Sequence, residues 1–196
     1  MTPARISKRS RIMPAILIGA SAFALAGCQE EQVDANAFPD LASCEEAAKD
    51  GTQVFTVEDC DTAFAEALTE YERSAPRYDE LALCEEQHGG GCVAQQTSSG
   101  GSMFMPLMAG YLMGSMLSNN RAQTQPLYRD AAGKYATASG STVLNGNKGS
   151  AKMSASNFRP AAAASAPMSR ASVQATGGFG SSRTSSFSNS RTSFGG

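Results

Sequence analysis

The side chains that could carry chemistry are five cysteines, a single histidine and 18 carboxylates in a chain of 196 residues. One cysteine, Cys28, ends the motif Leu25-Ala26-Gly27-Cys28. An apolar residue and two small residues before a cysteine are what a lipoprotein signal peptidase requires, because small residues let the backbone enter the protease site. The motif predicts removal of residues 1–27 as a signal peptide and lipidation of Cys28.

The residues before this motif support the same interpretation. A basic segment with Arg5, Lys8, Arg9 and Arg11 precedes an apolar run over residues 12–26. That run is shorter than the roughly 20 residues that a membrane-spanning helix needs. Since two or more acyl chains anchor a protein stably, we expect the lipid on Cys28 to hold the protein in a membrane of the cell envelope. Gln29, where an aspartate would favour inner-membrane retention, favours the periplasmic face of the outer membrane.

The remaining four cysteines are the candidates for disulfide formation, and they are Cys44, Cys60, Cys84 and Cys92. An even number of cysteines in an exported protein indicates two disulfides, for which three pairings exist. A faint internal repeat relates Leu41-Ala42-Ser43-Cys44-Glu45-Glu46 to Leu81-Ala82-Leu83-Cys84-Glu85-Glu86. The repeat favours pairing of Cys44 with Cys60 and of Cys84 with Cys92.

The types of residue needed for catalysis are sparse. The cysteine spacings match neither paired zinc knuckles nor a redox Cys-x-x-Cys pair, and phosphate-loop, nucleophile-elbow and zinc-protease motifs are missing from the sequence. A catalytic triad would depend entirely on His88, which is followed by three glycines. At a helix end, this histidine is expected to interact with the helix dipole. The sequence therefore predicts a protein without enzymatic activity, metal or cofactor.

The segments that contain these cysteines are predicted to be helices. Asp40 and Thr56 can cap the first two helices, and Asp59 completes a weak capping box with Thr56. Pro76 ends the second helix, and Asp79 can cap the third. We expect a mainly α fold in which residues 28–39 form a tether and residues 40–93 a disulfide-stapled helical module.

An apolar, methionine-rich run over residues 103–117 predicts one more helix, placed after a linker within residues 94–119. Gly110 and Gly114 would let a second helix approach closely. Three alternatives remain open for this helix: core packing on the module, docking on a partner or a second copy, and partial membrane insertion. The predicted interaction residues are Phe104, Leu107, Met108, Tyr111 and Leu112.

Charge divides the chain into two unlike parts. Residues 28–98 carry 17 acidic against three basic side chains, a net charge of −14, whereas residues 121–196 have a net charge of +8. Residues 120–196 are predicted to be a low-complexity, mostly disordered basic tail. The two parts can attract each other or bind different partners. In an exported protein the basic tail is not expected to bind nucleic acid.

These features suggest two functions of different classes. The first is a lipid-anchored envelope protein with a structural or protein-interaction role, exerted through residues 103–117. The alternative is a small acidic module that binds a cationic envelope ligand such as a polyamine, which the net charge of −14 motivates.

Several motifs in order give the chain a resemblance to the YgiB family of uncharacterised bacterial lipoproteins. Besides the Cys28 motif and the four cysteines, they are Glu72-Arg73-Ser74-Ala75-Pro76-Arg77-Tyr78, Met105-Pro106-Leu107-Met108-Ala109-Gly110-Tyr111, Gln125-Pro126-Leu127 and Gly177-Gly178-Phe179-Gly180. The resemblance implies export and lipidation. It implies no activity and no catalytic residues, because the family has no established function.

Overall fold

The computed structural model describes residues 32–97, 100–114, 123–164 and 166–180. Cys28 and the predicted signal peptide lie outside these residues. The described residues form eight strands, which are β1 (Gln32–Phe38), β2 (Cys92–Gln96), β3 (Ser102–Pro106), β4 (Gly110–Gly114), β5 (Thr124–Arg129), β6 (Tyr135–Ala136), β7 (Val143–Leu144) and β8 (Gly149–Ser154). The α-helices are α1 (Leu41–Lys49), α2 (Val57–Ser74), α3 (Leu81–His88) and α4 (Arg170–Thr176), and a 3-10 helix spans Ala155–Phe158.

Six of the strands form one curled antiparallel sheet in the order β7-β6-β5-β4-β1-β8. The first described strand, β1, lies inside the sheet between β4 and β8. Asn36 of β1 is paired with Met113 on one side and with Ser150 on the other. The remaining strands, β2 and β3, form a separate hairpin against which α3 packs.

Apolar side chains fill both faces of the curled sheet. On one face α1 and α2 cover Phe38, Tyr111 and Met113, and the Cys44–Cys60 disulfide is buried among them. On the other face Val33, Ala35, Ala37, Leu112, Leu127, Met153 and Phe158 form a second core. In β1 the alternate residues Val33, Ala35 and Ala37 face the second core, as expected for a strand with a period of two, and Phe38 at its end joins the first core.

The prediction of a mainly α fold was wrong, beginning with the expected tether. Residues 32–38 form an interior strand of the sheet, next to the edge strand β8, instead of a disordered link. Val33, Ala35 and Ala37 alternate with Asp34 and Asn36 in a pattern typical of a strand. Small alanines and polar neighbours hide this alternation when only average hydrophobicity is considered.

The described part of the methionine-rich run, residues 103–114, is also not a helix, because it lies in β3, β4 and the loop that joins them. A short apolar run without a clear period does not distinguish a strand from a buried helix. Gly110 has a φ of +140°, and a Cβ placed there would lie 2.6 Å from the Phe38 carbonyl oxygen. The glycine thus permits close approach of backbone within the sheet rather than between two helices.

The prediction of a mostly disordered tail was wrong for the described part of residues 120–196. Strands β5 to β8, the 3-10 helix and α4 all lie there. Pro126 stands inside β5 although proline donates no ladder hydrogen bond. The short strands contain many Ser, Thr, Gly and Ala residues, so composition alone resembles that of a disordered segment.

The helix caps predicted for α1 and α2 were confirmed. Asp40 accepts a hydrogen bond from the Ser43 amide, and Thr56 and Asp59 form a reciprocal capping box, as predicted. Helix α2 ends at Ser74, two residues before Pro76. The third cap was wrong, since α3 begins after Glu80 without a side-chain cap. Among the described residues, none of the helices has the length and hydrophobicity that crossing a membrane requires.

Candidate functional site

The single histidine of the chain is buried and contacts Tyr78 and Phe179. His88 ends α3 and is 1% exposed. Its Nδ1 lies 2.7 Å from the Arg129 carbonyl oxygen, and its Nε2 lies 2.9 Å from the Tyr78 hydroxyl. Because a carbonyl can only accept, Nδ1 carries the proton, and the Tyr78 hydroxyl donates to Nε2.

Burial favours the neutral form of this histidine. It lowers the pKa of His88 to about 4, although the hydrogen bond to Arg129 and the charge of Asp130 act in the opposite direction. Burial likewise raises the pKa of Tyr78. The expected contact between a charged histidine and the helix dipole is therefore replaced by a neutral imidazole with both nitrogens hydrogen-bonded. In this arrangement neither nitrogen is available to a metal or to a nucleophile.

The segment that follows α4 closes the cluster of His88 and Tyr78. The Phe179 ring lies 4.4 Å from the His88 ring and 6.1 Å from the Tyr128 ring, measured between centroids. The Phe179 amide donates to the Gln87 side-chain oxygen at 2.9 Å. Residues 177–180, assigned to the predicted tail, thus dock on the end of α3.

A cavity of about 320 Å³ adjoins the cluster. Its walls come from the α2–α3 connection, an alanine-rich segment after the 3-10 helix, α4 and Phe179. Arg77 is the one charged side chain among the described residues that line it. The backbone around Arg77 is fixed, since its carbonyl accepts from the Met168 amide at 2.8 Å and the neighbouring Tyr78 pairs with Phe104.

The four cysteines predicted to form disulfides do so in the pairing that the internal repeat favours. Cys44 is bonded to Cys60 and Cys84 to Cys92. The first disulfide links α1 to α2, and the second links α3 to β2. Cys60 and Cys84 are fully buried, so each bridge is part of a core.

The predicted interaction residues are not gathered on one surface. Tyr111 and Leu112 are buried on opposite faces of the sheet. Phe104 and Met108 are half-buried against two different clusters. Leu107 is 53% exposed, in the loop between β3 and β4.

Side chains of the acidic and basic parts of the chain form ion pairs with each other. Arg170 on α4 pairs with Glu86 at 2.7 Å and lies 3.9 Å from Glu80, both from the acidic part. Lys152 pairs with Asp34 at 3.3 Å. Other carboxylates remain exposed without an ion pair to any described residue, and on α2 they include Glu58, Asp61 and Glu72.

The described residues contain no group of three or more His, Cys, Asp or Glu side chains placed to hold a metal ion. Sequence reasoning missed Tyr78, Arg77 and Phe179 as parts of one site, although the motifs of residues 72–78 and 177–180 contain them. Their proximity depends on the contact of α4 and its following loop with α3. Only the tertiary structure brings these segments together.

Comparison with known proteins identifies relatives but no function. A family model described as a protein of unknown function, DUF1190, matches residues 32–190. A UPF0441 protein of Klebsiella pneumoniae subsp. pneumoniae is 33% identical over 148 residues, and one of Serratia proteamaculans is 33% identical over 147 residues. Each alignment covers 66% of this chain and 64% of the relative, so the chain spans less than two thirds of the relatives' length. No solved structure matches significantly. The chain belongs to the DUF1190 family of YgiB-like, uncharacterised bacterial proteins.

Proposed function

We propose that this protein is a lipid-anchored component of the bacterial cell envelope that acts by binding a partner and not by catalysis. The observation that carries the proposal is the pair of disulfides, because disulfides persist in oxidising compartments such as the periplasm. The sequence motif that ends at Cys28 supports lipidation. The hydrogen-bonded state of His88 supports a structural role for the only histidine.

The start of β1 sets the distance between the proposed anchor and the sheet. Cys28 and Gln32 are four residues apart in sequence. Four residues can span at most roughly 14 Å. Lipid on Cys28 would therefore hold the domain against the membrane surface, where its partners would also be expected.

Substitution at the predicted lipidation site tests the anchor. The Cys28→Ser variant should lose incorporation of radiolabelled palmitate and should leave the membrane fraction. A Gln29→Asp variant serves as the control, since it should retain palmitate while moving from the outer to the inner membrane. Full lipidation of Cys28→Ser would refute the anchor, and unchanged sorting of Gln29→Asp would refute the proposed outer-membrane location.

Within residues 103–117, a proposed protein interaction or self-association now depends on Leu107, the most exposed of the five predicted residues. The Leu107→Ser variant should reduce cross-linking to partners or copies in intact envelopes. Val143→Ser, which changes another exposed aliphatic residue, is the matched control. Equal cross-linking of both variants and the unmodified protein would exclude this surface.

A second candidate function is binding of a cationic envelope ligand, which the exposed carboxylates of α2 favour. Calorimetry with spermine should give a heat of binding that weakens with added salt. A triple variant, Glu58→Gln with Asp61→Asn and Glu72→Gln, should bind more weakly than a control with Glu80, Glu85 and Glu86 all changed to Gln. The whole chain must be used, because α1 and α2 share their core with the sheet. Absence of salt-dependent heat would remove this candidate.

A further inference from the structure

The loop between β7 and β8 contains a glycine that its surroundings do not require. The φ of Gly146 lies outside the left-handed region, and a Cβ placed there would meet no atom within 4 Å beyond its chain neighbours. Gly149, at the start of β8, differs in having a φ of +105°, which favours glycine. Backbone conformation and packing therefore do not account for Gly146. What distinguishes this residue is that it follows Asn145 at an exposed position.

An asparagine that precedes glycine can lose its side-chain amide, because a residue without a Cβ leaves its backbone nitrogen open to the preceding side chain. The Gly146 nitrogen would attack Asn145 Cγ and form a new bond between N and Cγ. The C–N bond of the side-chain amide then breaks, and ammonia leaves with the backbone amide proton. Water opens the cyclic imide at either carbonyl, which gives aspartate or isoaspartate.

Both reacting groups of this pair are free in the structure. The Asn145 side chain forms no hydrogen bond with any described residue, and the Gly146 amide donates none there either. The two residues lie between β7 and β8 and belong to neither strand. The nitrogen therefore has no hydrogen bond to break before it reaches Asn145 Cγ.

The other described asparagines are held in place. Asn36 lies in β1, and its Oδ1 accepts a hydrogen bond from the Ser150 hydroxyl at 2.7 Å. Asn147 Nδ2 donates to the Ala109 carbonyl oxygen at 2.7 Å. Asn157 is half-buried in the 3-10 helix. None of these three precedes a glycine, so sequence and structure both single out Asn145.

We propose that Asn145 is a site of spontaneous deamidation, at which water converts the folded protein into aspartate and isoaspartate forms. The reaction adds a carboxylate to the wall of a cavity of about 470 Å³, which Asn145 shares with Asp130 and Lys134. Isoaspartate also adds a methylene group to the backbone just before Asn147, which ties the loop to Ala109. Deamidation would thus change both the charge of this loop and the path of the chain into β8.

Peptide mapping of the full-length protein tests this proposal after incubation at mildly alkaline pH. Trypsin cleavage after Lys134 and Lys148 releases one peptide that contains both Asn145 and Asn147, so the second asparagine is an internal control. Mass spectrometry should show a gain of about 1 Da at Asn145 only, and an isoaspartate methyltransferase should label the same peptide. A sample digested without incubation sets the background. No gain above that background, or an equal gain at Asn147, would overturn the proposal.

The Gly146→Ala variant separates the reaction from the fold. Since a Cβ has room at this position, stability in urea should be unchanged, whereas deamidation should slow by at least about tenfold. The isolated peptide of residues 135–148 gives the rate without the fold, and the folded protein should react within about tenfold of it. A folded protein that reacts more slowly than this, or a variant that reacts as fast as the unmodified protein, would contradict the proposal. Neither result depends on Cys28, so this proposal and the lipid anchor fail separately.

Discussion

The Tyr78 hydroxyl lies 2.9 Å from His88 Nε2, and the two rings meet at an interplanar angle of 73°. Tyr78 precedes α3, whereas His88 is its last residue. The hydrogen bond therefore joins the two ends of the helix, and the His88 contact with Arg129 joins that helix to β5. This pair of residues holds α3 against the curled sheet.

Removal of the Tyr78 hydroxyl should destabilise the protein. In Tyr78→Phe the buried Nε2 of His88 loses its donor, which should lower the free energy of unfolding by about 1–3 kcal/mol. Tyr111→Phe is the matched control, since Tyr111 is equally buried but its hydroxyl has no hydrogen-bond partner among the described residues. Urea unfolding should show a clear loss of stability for Tyr78→Phe only. Equal stabilities of the two variants would contradict the hydrogen bond between Tyr78 and His88.

Stability should fall as the pH drops from about 6.5 to about 4. The pKa of His88 is lowered in the folded protein to about 4, so over this interval the unfolded chain binds a proton that the folded chain does not. Protonation of His88 in the unfolded chain should therefore lower the free energy of unfolding on acidification, by about 3 kcal/mol in total. Urea unfolding at a series of pH values measures this effect. The His88→Asn variant, which does not titrate, should show a flatter profile, and an identical slope would contradict the assignment.

The Phe179→Ala substitution should raise the pKa of His88 towards its ordinary value. The Phe179 ring covers the imidazole at 4.4 Å, and burial is the main cause of the lowered pKa. Because the chain has a single histidine, its proton resonances can be followed during a pH titration without assignment of other signals. Phe158→Ala, which changes the core on the other face of the sheet, is the control. The same His88 pKa in both variants would show that residues 177–180 do not dock as described.

The two disulfides should contribute unequal amounts of stability. Cys44 and Cys60 are 16 residues apart, and Cys84 and Cys92 are 8 apart. Loop-closure entropy then predicts a loss of about 3 kcal/mol for the Cys44→Ala, Cys60→Ala double variant and about 2.5 kcal/mol for the Cys84→Ala, Cys92→Ala variant. Urea unfolding of both variants checks these values. A larger loss for the second pair would mean that anchoring α3 to β2 outweighs loop entropy.

The predictions that succeeded depend on residues close together in sequence. Asp40, Thr56 and Asp59 form helix caps within four residues, so local chemistry is enough to locate α1 and α2. The repeat around Cys44 and Cys84 likewise indicated a pairing of near neighbours. These signals require no knowledge of the rest of the chain.

The sheet escaped prediction because its strands are weakly apolar and pair across long sequence distances. Val33 of β1 is paired with Met153 of β8, and neither neighbourhood is strongly hydrophobic. Each strand becomes stable only when both partners bury their alternate residues. For the candidate site the difficulty is the same, since Arg77, His88 and Phe179 come from three segments that only tertiary contacts bring together.

The position of β1 between β4 and β8 has a consequence for mechanical load on the domain. A pull on the chain before Gln32, directed along the strand, would act on two antiparallel ladders at once, one to β4 and one to β8. Such a load stretches the hydrogen bonds of both ladders in parallel, by shear, instead of opening them one after another. A strand at either edge of the sheet would have only one ladder to resist the same force. Tension applied along β1 would therefore have to break more hydrogen bonds at once than it would at an edge strand.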